Sequence, residues 1–239
     1  RAVAQYPGGR YADRLSRETV VTGSLLCGVV GFGLLAVVAG YPTFLLGVAV
    51  IGAASGLFAG AFMERFPLLP VEDDGRLHDP GLRENFIERI FALKRYREAR
   101  RSVSGLIEFH SEHKLQIMAH TQENLREMGQ LVARAREVPE GELFPAYEEH
   151  LLNALAQKST PPQNVNVLQH ILGYFKEDLA GWEKAELLET IEGYRQGLIP
   201  LIVPVTIVQH YVRKYDKEYL FKQTYLQPHP LELKLRNHA

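Results

Sequence analysis

The stretch 106–136, LIEFHSEHKLQIMAHTQENLREMGQLVARAR, decides the fold. Its apolar residues Leu106, Phe109, Leu115, Met118, Leu125, Met128, Leu131, Val132 and Ala135 return at intervals near 3.6, and no segment alternates with period two. The spacing predicts one long amphipathic helix. Four more stretches carry the same period: Leu143–Gln157, Val165–Leu179, Trp182–Gln196 and Ile202–Leu226. Between them lie Pro139-Glu140-Gly141, Ser159-Thr160-Pro161-Pro162, Ala180-Gly181 and Gly197-Leu198-Ile199-Pro200, residues that end helices rather than continue them. No credible strand ladder competes. Short connections place consecutive helices antiparallel, so the expected class is all-α, with residues 102–239 forming a compact helical bundle. The uncharged run Gly197–Pro204 is too short to cross a bilayer and reads as a buried, proline-kinked start to the last long helix.

Working toward the N-terminus, Asp79 and Pro80 are an N-cap and first-turn pair for a helix whose Leu82, Phe86, Ile87, Ile90, Phe91 and Leu93 keep helical spacing to Arg101. Lys94, Arg97 and Arg101 form one basic stripe on it, flanked by Arg95 and Arg100. Such a stripe meets RNA phosphates or anionic lipid heads, or is a solvated face with its cations well placed at the helix C-terminus. Residues 64–101 are thus a linker followed by a basic amphipathic helix. Before them, from Thr19 to Met63, no charged side chain occurs, and Tyr41-Pro42 divides the run into 20–40 and 43–63. Each half is long enough to span a bilayer; Gly52, Gly56 and Gly60 have the small-residue spacing of packed membrane helices, and Arg10, Arg14, Arg17 and Arg65 flank the pair. The expectation is an N-terminal segment 1–63 with a transmembrane hairpin, tethering a cytoplasmic domain to the inner membrane. A glycine-rich buried helix pair or a rearranged gene segment are the alternatives.

Composition narrows the function classes. The 239 residues hold 27 Lys and Arg against 28 Asp and Glu, which excludes a nucleic-acid binder driven by overall charge, so any phosphate-binding face is local. The single cysteine, Cys27, excludes a disulfide framework and a cluster held by several protein thiolates. Three constellations are left to carry chemistry. His110, His113 and His120 share a helix face with Lys114 and Asn124 nearby. The histidine spacing lacks the glutamate of the helical zinc motif and stretches over too many turns, so no metal is expected. A polar cleft that hydrogen-bonds phosphate, sugar or base edges is one reading, and histidines satisfied by neighbouring helices the other. The second set is Asn164, Asn166, His170 and Tyr174, after an extended Pro161-Pro162. The third is His210, Tyr211, Arg213, Lys214, Tyr215, Tyr219 and Lys222, cations and tyrosines interleaved as stacking on unpaired bases requires, or as bundle packing requires.

The strings Phe109-His110-Ser111-Glu112-His113-Lys114 with Ala119-His120, Asn166-Val167-Leu168-Gln169-His170 with Gly173-Tyr174-Phe175, Tyr194-Arg195-Gln196-Gly197 through Pro204, and Tyr225-Leu226-Gln227-Pro228-His229-Pro230 resemble the YbgA-like domain of bacteria and archaea over residues 102–239. Gly56-Leu57-Phe58-Ala59, Met63-Glu64-Arg65-Phe66-Pro67 and residues 72–89 resemble the end of a thiouracil/thiouridine desulfidase domain and its junction to that module. In such fusions the desulfidase domain holds an iron-sulfur cluster that removes sulfur from a thiolated pyrimidine, and the helical module is thought to help engage tRNA. This chain departs from the pattern, because the desulfidase cysteine motifs are absent. The resemblance therefore implies an RNA-binding or accessory module, with tRNA and a separate desulfidase domain or subunit as expected partners, and with no catalytic residue and no cofactor. The expected RNA- or ligand-binding residues are His110, His113, Lys114, His120, Asn166, His170, Tyr174, Arg195, His210, Tyr211, Arg213 and Lys214, with Lys94, Arg97 and Arg101 facing phosphate or lipid. A small-molecule or metal-dependent enzyme using the histidine cleft, and a structural partner-binding module, stay open on the same residues.

Overall fold

The computed structural model describes residues 22–23, 26–27, 29–30, 63–65, 68–72 and 74–228. The chain divides into two units, residues 1–69 and 70–239. In the first, residues 22–23, 26–27, 29–30 and 63–65 are helical, and the rest of the expected hairpin at 20–40 and 43–63 lies outside the described residues. Among the described residues, no helix is long and apolar enough to cross a membrane.

In the second unit a 3-10 turn at Arg76–His78 leads into α1 (Pro80–Ala99), whose first turn is held as the sequence predicts: the Asp79 carboxylate accepts from the Leu82 amide at 2.8 Å, with Pro80 at the first helical position. There follow α2 (Val103–His120), α3 (Gln122–Ala133), α4 (Glu140–Ala156), α5 (Pro161–Gly173), α6 (Gly181–Arg195), α7 (Ile202–Lys214) and the short α8 (Glu218–Phe221). No strand occurs among the described residues, so this unit is an all-α bundle. The hub is α2, which packs against α1, α3, α4 and α5, while α6 and α7 extend the bundle beyond α5.

The predicted helix 106–136 is two helices. Thr121 is extended, at φ −159° and ψ 128°, and its hydroxyl oxygen accepts from the Asn124 amide, so it ends α2 and caps α3. Tertiary partners hold the break open. Gln163 donates to the His120 carbonyl at 2.6 Å, and the His120 ring reaches the Gln157 carbonyl, which together prevent that turn from continuing as helix. The predicted helix 202–226 is also divided. After α7, Asp216 takes φ 47°, a left-handed conformation that aspartate tolerates better than most residues. The chain then turns through α8 and lays residues 223–226 back on α2. There Thr224 donates its amide to the Glu112 carbonyl at 2.9 Å, and Gln223 donates to the Ser111 carbonyl at 2.8 Å.

Two further expectations need correction. The extended backbone before α5 is at Thr160, and Pro161 and Pro162 occupy the helix's first turn, where a missing N–H costs nothing. The segment 197–204 is buried only from Leu201 onward: Gly197 ends α6 at φ +72° and Leu198 is 73% exposed. The main core joins Leu115 and Ala119 of α2 to Val167, Leu168 and Ile171 of α5, Leu187 and Ile191 of α6, and Val205, Val208 and Val212 of α7. On the other side of α2, Tyr96, Phe109 and Tyr147 form an aromatic set, with centroids 5.5 Å apart for Tyr96 and Tyr147 and 5.6 Å for Tyr96 and Phe109. Burying each of these large side chains contributes roughly 1.5–3 kcal/mol, which fixes α2 between the two layers.

Candidate functional site

Around α2 the two layers leave an open groove of about 630 Å³. One wall is Ile107, His110, Ser111 and Lys114 of α2, and the other is Leu125, Arg126, Gly129 and Val132 of α3. Tyr174 and Tyr219 complete it from beyond α5 and from α8. These two tyrosines stack at 5.4 Å with 19° between planes, and His170 meets Tyr174 edge-on at 5.5 Å, so three rings run in a row along one side. Among the described residues neither Lys114 nor Arg126 has a carboxylate partner. The groove thus combines flat aromatic and aliphatic surface with two uncompensated cations. Beside it, sharing Ile107, Ser111 and Tyr219, is a second hollow of about 400 Å³ that holds Glu108, Glu112, Arg136 and Lys222. Burial and the neighbouring Glu108 push the Glu112 carboxyl above its usual range, so a hollow of mixed charge adjoins the basic groove.

The three histidines of α2 have three different surroundings. His110 Nδ1 lies 3.0 Å from the hydroxyl of the fully buried Tyr147, while Nε2 faces the groove beside Gly129. Burial, helped by Lys114, pushes its imidazole down to about 4, so it is neutral at physiological pH. His113 is 2% exposed and stacked on Phe109 at 3.8 Å; its Nδ1–H donates to the Phe109 carbonyl at 2.9 Å and Nε2 accepts from the Thr224 hydroxyl at 3.3 Å. Burial pushes it down to about 3. His120 is 1% exposed, with Nδ1 on the Gln157 carbonyl and Nε2 3.1 Å from Glu88. Glu88 also accepts from Gln116 at 2.8 Å. His113 and His120 are therefore structural links between elements, not cleft-lining groups, and the expected stripe contributes only His110 and Lys114 to the groove.

The remaining expected residues divide in the same way. Tyr174 lines the groove and His170 adjoins it through that ring. Asn166 is exposed on α5, and its neighbour Asn164 is buried, accepting from the Tyr225 hydroxyl at 2.9 Å. Tyr211 is buried, 3% exposed, with its hydroxyl donating to Glu186 at 3.0 Å, so it cannot stack on a base. Lys214 is held at 2.5 Å by Glu183 and Arg195 at 2.6 Å by Glu192. His210 and Arg213 are exposed on α7. Lys94, Arg97 and Arg101 are exposed on and just after α1. Tyr211 of α7 is buried in the main core against α6, so among the described residues Lys94 and Arg97 do not share a groove with it. Nor do His110, His113 and His170 converge, because His113 points to Thr224, and among the described residues no group of three His, Cys, Asp or Glu side chains is arranged to hold a metal ion.

Arg126 and Gly129 complete the groove and lie outside every expected constellation, whereas Tyr219 belongs to the interleaved cation and tyrosine set 210–222. Gly129 carried a local signal: an isolated glycine inside a helical period costs about 0.5–1 kcal/mol relative to alanine and calls for a reason. For Arg126 the only pointer is its place one turn before that glycine.

Residues 114–230 match the family described as "Protein of unknown function (DUF1722)". Over 153 residues the chain is 31% identical to the uncharacterized protein YbgA of Escherichia coli (strain K12), an overlap that covers 62% of this chain and 90% of that protein. No solved structure matches.

Proposed function

The chain belongs to the YbgA-like family of proteins of unknown function, and within it we propose that this member is an RNA-binding accessory module whose groove between α2 and α3 receives an unpaired stretch of tRNA. The observation that carries the reading is the pairing of the Tyr174–Tyr219 stack with the unpartnered Lys114 and Arg126 in one groove. Unpaired strands are held where bases meet aromatic faces and phosphates meet cations, and among the described residues no carboxylate pairs with these two cations. His170 extends the ring row, and exposed Lys94, Arg97 and Arg101 offer further phosphate contacts on α1.

The same proposal includes a separate desulfidase domain or subunit as partner, supported by the resemblance of residues 56–89 to the junction in fusion proteins. It also includes tethering at the inner membrane through residues 20–63, supported by the uncharged run of sequence. Fractionation of the full chain in detergent-free buffer checks the tether, and recovery in the soluble fraction would remove it.

Binding of the full chain to tRNA, followed by fluorescence anisotropy over a salt series, tests the central claim. Lys114→Ala or Arg126→Ala should weaken binding to every RNA and lower the salt slope by about one counterion each. Tyr174→Ala should weaken it with little change in slope. Affinity for tRNA no greater than for an unrelated acidic polymer, unmoved by all three variants, would refute the reading.

A further inference from the structure

Tyr147 hydroxyl is fully buried, and among the described residues its hydrogen-bond partner is His110 Nδ1 at 3.0 Å. If that hydroxyl accepted a proton from the ring, its own hydrogen would be left in the core with no acceptor, a desolvation cost that native interiors avoid. It therefore donates. The ring accepts at Nδ1, and the single proton of the neutral imidazole sits on Nε2. That N–H is not sealed in: it opens to the groove, and no protein acceptor meets it among the described residues.

The glycine opposite makes room for something there. A Cβ built at Gly129 would have one neighbour within 4 Å, His110 Nε2 at 3.9 Å, and otherwise open space. No tight helix crossing demands a glycine at this point of α3, and its backbone is ordinary helix. A fixed donor, vacant space beside it, apolar Ile107, Leu125 and Val132 around it and a tyrosine stack across from it are the parts of a pocket for a flat heterocycle with an acceptor on its edge.

Building on the RNA reading, we propose that His110 is the base-reading residue of the groove, its Nε2–H donating to a ring nitrogen or carbonyl of one unpaired base that enters beside Gly129. Tyr147 is the positioning residue behind it, and Lys114 and Arg126 hold the flanking phosphates. A phosphate oxygen is also a hydrogen-bond acceptor, so the experiment has to separate the two.

Full-length protein is titrated with a short single-stranded oligouridylate and with a strand of equal length and charge that carries sugar and phosphate but no bases. His110→Ala should lose about tenfold in affinity for the first and leave the second unchanged, with the salt slope intact for both. Gly129→Leu, a helix-favouring replacement that fills the space beside Nε2, should melt no lower than the parent and show the same selective loss. In the parent, ¹⁵N spectra of His110 should show the proton on Nε2, and Tyr147→Phe should disturb that signature. Equal losses on both strands would assign His110 to phosphate and overturn the base-reading role. A Gly129→Leu protein that binds oligouridylate as well as the parent would overturn it too. Failure of the parent to bind either strand would instead reject the underlying RNA reading, a distinct result.

Discussion

The C-terminal end and the middle of α2 each present a histidine, and the two are opposite in use. At its C-terminal end the His120 ring meets Glu88 of α1 and the Gln157 carbonyl after α4, while its backbone carbonyl accepts from Gln163 of α5, so this one residue ties three other parts of the chain together. Toward the middle of the helix, His110 is anchored on one side only, by Tyr147, and shows its other nitrogen to the groove. Both are histidines on one helix, and composition does not separate them. What separates them is how many elements pack over each position. A buried imidazole with both nitrogens engaged is a bolt, and one with a free nitrogen over open space is available for recognition.

The sharpest way to break the contrast is at Glu88. Removing one member of a buried, hydrogen-bonded pair leaves the other uncompensated, at a cost of about 3–5 kcal/mol. Glu88→Ala should therefore lower the urea midpoint strongly, whereas His110→Ala should cost less, about 1–3 kcal/mol, the penalty of leaving the buried Tyr147 hydroxyl without its acceptor. Equal destabilisation by the two variants would erase the distinction between the two histidines of α2.

Protonation gives the next effect. The folded-state value for His113 is depressed to about 3 against an ordinary 6.5, so between those values the unfolded chain binds more protons than the folded one. Stability supplied by the neutral ring is thus present above 6.5 and declines as pH falls from there toward 3. From pH 7 to pH 5 the loss is about 2 kcal/mol for this residue. Urea titrations at those two pH values should show it, and His113→Phe should lessen the pH dependence. His110, with its value near 4, adds in the same direction. For the same reason RNA affinity of a His170→Ala protein, which removes the exposed imidazole of the ring row, should not rise as pH falls through 6.5, since neither His110 nor His113 gains a charge there. A rise across that range would mean that the groove histidine is more exposed to water than its contacts indicate.

Much of this bundle was legible in the sequence, because helical period and helix-ending residues are local properties. Asp79-Pro80 marked the start of α1, and Gly197 the end of α6. The two breaks that were missed, at Thr121 and at Asp216, interrupt apolar periods that continue on both sides. Thr121 could have been read as a cap, but what commits the chain to the corner is the grip on His120 by residues more than thirty positions away. The site was legible only in part for a similar reason. Spacing placed His110, His113 and His120 on one face of α2 correctly; which neighbouring helix would cover each of them is a tertiary fact. Tyr211 and Tyr219 show the same limit in the interleaved tyrosines, one buried against Glu186 and the other standing in the groove.

A third test compares the groove walls. Stacking of a base on an aromatic face is worth about 1–3 kcal/mol, so Tyr174→Ala should reduce affinity for unpaired RNA by roughly tenfold or more. Its melting temperature should stay close to the parent's, since the ring is partly exposed. His210→Ala on α7, outside the groove, should alter neither property. If His210→Ala weakens binding as much as Tyr174→Ala does, the contact surface lies on the α6–α7 side and not in the groove between α2 and α3.

The smallest effect is the most discriminating, because it runs against intuition. Gly129 lies in the interior of α3 with ordinary helical backbone, and a methyl group there would touch only His110 Nε2 at a comfortable 3.9 Å. Helix propensity alone then makes Gly129→Ala stabilising by about 0.5–1 kcal/mol, through the entropy that glycine loses on folding. At the C-terminal end of α2, by contrast, any enlargement meets a packed interior. Gly129→Ala should raise the urea midpoint and, because the methyl narrows the space beside the imidazole N–H, lower affinity for base-bearing RNA by a few fold. A variant that is both more stable and equally tight in binding would show that the space beside His110 has no part in recognition; one that is less stable would show that Gly129 answers to packing, as His120 does.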